Sequence, residues 1–186
     1  LSILLFWLEP LSSEWLEYHR NKAQAGELWR FISASLLHTN LNHLLMNLAG
    51  LALAWALHGE YYRPIAFIVL MAALSLAVGI GVHLFSPHLF TYVGLSGALN
   101  GLIVWGAVRD IHTGLRSGWL LLAIMLIKII HEQLSPPNLE LQQLINANVA
   151  VDAHLYGVIA ALILGLLSRY NLLLIKNSDA NTTKEG

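Results

Sequence analysis

Cysteine is absent from the 186 residues, which excludes disulfides, a thiolate nucleophile and any Cys-based metal site. Charge is scarce. Only 11% of the residues are Asp, Glu, Lys or Arg, whereas soluble domains carry about 25%. No basic cluster is present and the formal net charge is -1, which argues against nucleic acid as a partner. Proline is rare, and Pro10, Pro64, Pro87, Pro136 and Pro137 fall between apolar segments, not inside them. What remains is 56% hydrophobic with a mean hydropathy of +0.62. An all-α polytopic membrane protein is therefore expected.

The apolar segments predict six spans, the first truncated at its start. Leu1 to Leu8 reaches only about 12 Å as a helix, too short for a core of about 30 Å. Because the chain opens on Leu and not Met, this segment is expected to be the outer end of a longer helix. Residues 11–30 read as an amphipathic surface connection, with Trp7, Trp15 and Trp29 nearby as interfacial anchors. The further spans are expected over Phe31–Leu57, Ile65–Phe85, Ser96–Val108, Trp119–Leu134 and Asp152–Tyr170. Gly79-Ile80-Gly81 marks a soft spot in the third. Residues 1–175 form one transmembrane domain on this reading, and 176–186 a polar, disordered cytoplasmic tail. Arg63, Arg109, Arg116, Arg169, Lys176 and Lys184 fall on one side, and Arg20, Lys22 and Arg30 on the other. The richer side is expected to be cytoplasmic.

That orientation brings several polar residues to the non-cytoplasmic ends of their spans. Gly94 and Gly97 flank Ser96 with residues that let another backbone come close. Ser96 opens a span, where unsatisfied N–H groups and the positive end of the helix dipole gather. His43 and Asn47 are four apart and share one face of the second span. His154 lies near the start of the sixth. Nucleophilic catalysis needs a hydroxyl, a base within reach and donors for an oxyanion, and imidazole is the natural base near neutral pH. Ala153, Gly157, Ala161 and Gly165 form a small-residue stripe beside His154, and Gly97 with Gly101 supplies a facing one. Those stripes also fit a plain packing face with Ser96 as an ordinary polar residue. The whole set of residues favours catalysis.

Three motifs in order resemble the rhomboid intramembrane serine proteases. Trp29-Arg30 followed by His38, His43 and Asn47 is similar to that family's first-loop and second-helix pattern. Gly94-Leu95-Ser96-Gly97 resembles its GxSG motif, and Ala153-His154-x-x-Gly157 its AHxxG motif. The resemblance implies a six-helix rhomboid-like bundle and a Ser-His dyad without an Asp. Ser96 would be nucleophile and His154 general base. His43, Asn47 and the Ser96 N–H would form the oxyanion hole, with His38, Trp29 and Arg30 shaping the first loop. It implies a transmembrane-anchored protein substrate within the lipid bilayer, and no metal or other cofactor. Asn100 stands where many members carry Tyr, so His154 is expected to be held by Asn100 or by an aromatic such as Tyr156. The compact chain and the charged fifth span, with Lys128 and Glu132, resemble the rhombosortase branch. Those bacterial inner-membrane enzymes process tails bearing a Gly-Gly motif near the periplasmic face.

Lys128 and Glu132 carry two readings. Each charge at mid-bilayer costs about 2.5–3.5 kcal/mol, and at i,i+4 spacing they can pair with each other. Alternatively Glu132, about 20 Å up its helix, lies level with Ser96 and contacts the substrate or a resolving nucleophile. Three other classes fit parts of the pattern. These are an inactive rhomboid-like protein that binds transmembrane helices, a proton-coupled transporter using Lys128, His131, Glu132 and His154, and a metal site from His38, His43 and His154.

Overall fold

The computed structural model describes the backbone of residues 1–182 and the side chains of residues 1–167. Of the tail expected at 176–186, the backbone of 176–182 continues the last helix, and 183–186 lie outside the described residues. Five long helices form a bundle: α5 (Leu41–His58), α6 (Pro64–Phe85), α7 (Ser96–His112), α8 (Ser117–Leu134) and α10 (Val151–Thr182). By length and composition α6 and α8 can each cross a membrane. The expected truncated first span is α1 (Ser2–Trp7), 6 residues long. Large apolar side chains point outward along the bundle, with Leu45, Leu53, Ile68, Leu120, Ile127 and Ile163 all more than half exposed. In water this pattern is costly; in lipid it is the favourable one.

Helix α7 is the centre. Eleven of its 17 residues are buried, and it meets α5, α6, α8 and α10. Leu99, Leu102 and Val104 of α7 join Leu74 of α6, Met125 and Ile129 of α8, and Val158 and Ala161 of α10 in the main apolar core. The α7–α10 contact is backbone to backbone. A methyl group on Gly101 would lie 2.6 Å from Gly157 O, and one on Gly97 would lie 2.9 Å from Ala153 O. A methyl group on Gly157 would overlap Gly97 O outright. The facing small-residue stripes of the sequence thus meet, and nothing larger fits.

Several boundaries differ from the sequence expectation, each for a local reason. The segment 31–57 is not one helix. A short α4 (Arg30–Ser33) and a 3-10 turn (Ala34–Leu36) end at an extended Leu37. Helix α5 then starts afresh where the Asn40 side chain accepts from the His43 N–H at 2.9 Å. Helix α7 continues past Val108 because Asp110 is buried, accepting from Tyr61 Oη at 2.8 Å and lying 3.4 Å from His58 Nε2. The Gly79-Ile80-Gly81 stretch does not break α6. Gly79 makes room for the Phe31 backbone and Gly81 for the Tyr156 ring.

The first connection is more ordered than expected. It contains α2 (Leu11–Leu16), the two-residue strand β1 (Tyr18–His19) and α3 (Arg20–Gln24). Strand β1 pairs antiparallel with β2 (Thr91–Tyr92), Tyr18 opposite Tyr92, just ahead of Ser96. Arg20 fastens this pair to the end of α6 by donating to the carbonyls of Val82, His83, Ser86 and Leu89 at 2.8–3.2 Å. Those carbonyls lie at and just beyond a helix end, where acceptors otherwise lack partners. A further short helix, α9 (Leu139–Ile145), sits in the connection between α8 and α10.

Candidate active site

The chain enters α7 through a loop that leaves little freedom. Gly94 has φ +122°, a region that L side chains rarely adopt, and a side chain there would also press on His43 Nε2 at 2.8 Å. Its N–H donates to Ala34 O at 3.1 Å, and its carbonyl accepts from Tyr92 Oη at 2.7 Å. Ser96 follows as the first residue of α7. With no side chain between the helices, α10 sits close enough for His154 Nε2 to lie 2.9 Å from Ser96 Oγ. His154 itself is buried.

On its other side, His154 Nδ1 lies 2.9 Å from Glu132 Oε2 of α8. Glu132 Oε1 accepts from Lys128 Nζ at 2.7 Å, and Lys128 also donates to Asn100 Oδ1 at 3.0 Å. Asn100 Nδ2 in turn donates to Ser96 O at 2.9 Å. One sequence expectation is corrected here. Neither Asn100 nor Tyr156 holds His154: Asn100 bonds to α7 and α8, and Tyr156 Oη bonds to Ser86 Oγ at 2.8 Å. Of the two readings offered for Glu132, the pair with Lys128 is present; its other carboxylate oxygen is directed at the imidazole, and the side chain lines the cavity between the helices.

His43 and Asn47 lie on the buried face of α5. The Thr39 N–H points at His43 Nδ1 at 3.4 Å, and Thr39 Oγ1 lies 3.1 Å from it while donating to Ile145 O. The tautomer in which His43 donates from Nε2 needs Nδ1 as acceptor, and the Thr39 N–H supplies that donor. Asn47 donates one amide hydrogen to His43 O at 3.0 Å and retains a second. His38 packs edge-on against His43, ring centroids 5.0 Å apart. Burial, and then the neighbouring His43, hold the His38 pKa down to about 4.

Two cavities meet at this point. One of about 310 Å³ lies beneath the first connection and β2, lined by Glu17, Thr39, Tyr92, Ile145 and Asn148 among others. The other, about 290 Å³, opens between α5, α7, α8 and α10, lined by Met46, Asn47, Leu99, Glu132 and His154 among others. Ser96 and His43 line both. Burial pushes the Glu17 carboxyl above its usual range. Helix α9 borders the site, with Ile145 lining both cavities. Asn40 and Asn42 each donate to Leu144 O, at 2.9 and 3.2 Å.

Arg30 is fully buried in the first connection, donating to Glu27 Oε2, Glu17 O and Glu14 O at 2.6–3.0 Å, while Trp29 Nε1 donates to Trp15 O at 3.0 Å. Both stand away from Ser96 and tie the connection together. Among the described residues no group of three or more His, Asp or Glu side chains is placed to hold a metal ion. Sequence reasoning passed over Arg20, Thr39 and Tyr92. Only the Asn40-x-x-His43 capping pattern carried a local signal for this region.

Residues 25–171 match the protein family described as Rhomboid domain, a stretch that contains every site residue from Trp29 to His154. Over 146 residues the chain is 25% identical to the putative rhomboid protease YdcA of Bacillus subtilis (strain 168), covering 76% of this chain and 68% of that protein. Over 96 residues it is 33% identical to the rhomboid protease GlpG of Yersinia enterocolitica (serotype O:8 / biotype 1B), covering 49% of this chain and 33% of that one.

Proposed function

As this chain belongs to the rhomboid family of intramembrane serine proteases, we propose that Ser96 is its nucleophile and His154 its general base, acting on a membrane-anchored protein. The observation that carries the assignment is the 2.9 Å approach of Ser96 Oγ to His154 Nε2 where two cavities meet. Hydrogen-bond reach of this kind is what a hydroxyl needs to lose its proton as it attacks.

In the reaction, Ser96 Oγ bonds to the scissile carbonyl carbon while its proton passes to His154 Nε2. The carbonyl oxygen becomes an oxyanion that accepts from His43 Nε2–H, Asn47 Nδ2–H and the Ser96 N–H. Collapse breaks the C–N bond, and the departing amine takes the proton from His154. Water then attacks the acyl ester, giving its proton to the same nitrogen, and Ser96 is restored with a free carboxylate as the second product. The cavity between α5 and α8 is the path for an unwound substrate segment. Glycine suits that segment because it weakens a helix and bares its backbone. The Lys and Arg distribution turns the site toward the periplasm.

The finer reading is a rhombosortase that trims tails bearing Gly-Gly, supported by the charged α8. The test is co-expression with a Gly-Gly-tailed membrane protein, with the new terminus read by mass spectrometry. Cleavage is expected with the native chain and lost with Ser96→Ala. Cleavage that persists in Ser96→Ala refutes the nucleophile. Cleavage of other anchored substrates but not of this one refutes the branch assignment alone.

A further inference from the structure

We propose that Glu132 is a positioning residue for His154, held in place by Lys128, so that three helices build a Ser96–His154–Glu132 triad in place of a two-residue centre. This rests on the assignment of Ser96 and His154 made above. A charge couple whose task was only to neutralise itself within α8 would need one carboxylate oxygen. Here both are used: Oε1 accepts from Lys128 Nζ at 2.7 Å, and Oε2 faces His154 Nδ1 at 2.9 Å.

The arrangement determines where the imidazole proton sits. A carboxylate paired with an ammonium only accepts hydrogen bonds. His154 must therefore carry its hydrogen on Nδ1 and donate it to Glu132, which leaves the Nε2 lone pair aimed at the Ser96 hydroxyl. The opposite tautomer would set a lone pair against the carboxylate and leave Nε2 unable to take a proton. When Nε2 does accept the Ser96 proton, the imidazolium of the buried His154 forms 2.9 Å from an anion. The charges stay balanced throughout. Lys128 and Glu132 cancel in the resting enzyme, and the imidazolium and oxyanion cancel in the tetrahedral intermediate.

Lys128 contributes a second constraint. Through Asn100 it closes a ring of hydrogen bonds that runs from Ser96 O to Asn100, Lys128, Glu132 and His154 and back to Ser96 Oγ. The ring links α7, α8 and α10 at one level. The Lys128 side chain is 41% exposed and Glu132 only 22%, and both line the cavity between the helices.

The test uses the full chain in proteoliposomes. Ser96 labelling by a small fluorophosphonate is measured alongside kcat and KM for an anchored substrate, with rates normalised to folded protein by thermal unfolding. Glu132→Gln is expected to lose about 10²- to 10⁴-fold in kcat, with a matching fall in labelling and little change in KM. Glu132→Asp should retain more activity than Glu132→Gln, because a carboxylate remains. Lys128→Met should fall in the same direction by a smaller factor. Should Glu132→Gln not fold, the Glu132→Asp and Lys128→Met proteins carry the same comparison with wild type. Wild-type labelling and kcat in the folded variants overturn the proposal. So does a rise in KM with labelling intact, which would make Glu132 a substrate contact. Loss in Ser96→Ala together with wild-type Glu132 variants overturns the triad and leaves the Ser96 assignment standing.

Discussion

Gly157→Ala offers a test of how the reactive pair is brought together. The added methyl group has no space, because it would overlap Gly97 O on the facing helix. Neither helix backbone can yield locally, so α7 and α10 must part by roughly 1 Å before a methyl group fits. Gly97 is next to Ser96, and Gly157 lies one turn from His154. The separation therefore falls directly on the 2.9 Å Ser96–His154 contact. Stretched to about 4 Å it is no longer a hydrogen bond, and a misplacement of that size costs about 10²-fold in rate. The overpacking itself should cost about 1–3 kcal/mol of stability. Gly165→Ala is the control. Its methyl group would meet the Val108 side chain at 2.7 Å, not a backbone atom, and two turns further from the site. Cleavage and fluorophosphonate labelling, both corrected for folded fraction, should drop about 10²-fold in Gly157→Ala and stay near wild type in Gly165→Ala. Equal activity in the two variants would falsify the idea that backbone contact between α7 and α10 sets the catalytic distance.

Other expectations follow from single contacts. His43→Ala and Asn47→Ala should each slow cleavage by about 10²–10³-fold if they hold the oxyanion, with phosphonate labelling lowered in parallel; rates within threefold of wild type would remove them from that role. Arg20→Met strips a donor from four carbonyls at the end of α6, and should lower stability in detergent by about 1.5–3 kcal/mol. A loss too small to detect by thermal unfolding would mean that water replaces the guanidinium. His38 is held neutral down to about pH 4 in the folded chain, whereas an unfolded His takes a proton below about 6.5. The unfolded state thus binds more protons between those values, and stability should fall as pH drops through that window. A folded His38→Gln variant should show a shallower fall, and an unchanged slope would assign the pH sensitivity to other groups.

What could be read from the chain alone was whatever depends on composition and spacing along one helix. The excess of apolar residues and the scarcity of charge place it in a membrane. Gly94 and Gly97 stood out because they flank Ser96, and Ala153–Gly157 and His43–Asn47 because i,i+4 spacing already says which side chains share a face. The sequence also offered Lys128 and Glu132 as a self-paired couple, and their 2.7 Å contact is there. It could not say where the second carboxylate oxygen points, since that depends on the rotation of α8 against α10, a matter between helices far apart in the chain. The same limit hid the Arg20 clamp, whose acceptors are more than sixty residues away. The break before α5 had a different cause: the Asn40-x-x-His43 cap that sets it is local, and the apolar run around it suggested one continuous span. Local periodicity determines which residues face inward. Only the packing of whole helices decides which inward-facing groups touch, and here that packing puts a carboxylate behind the histidine.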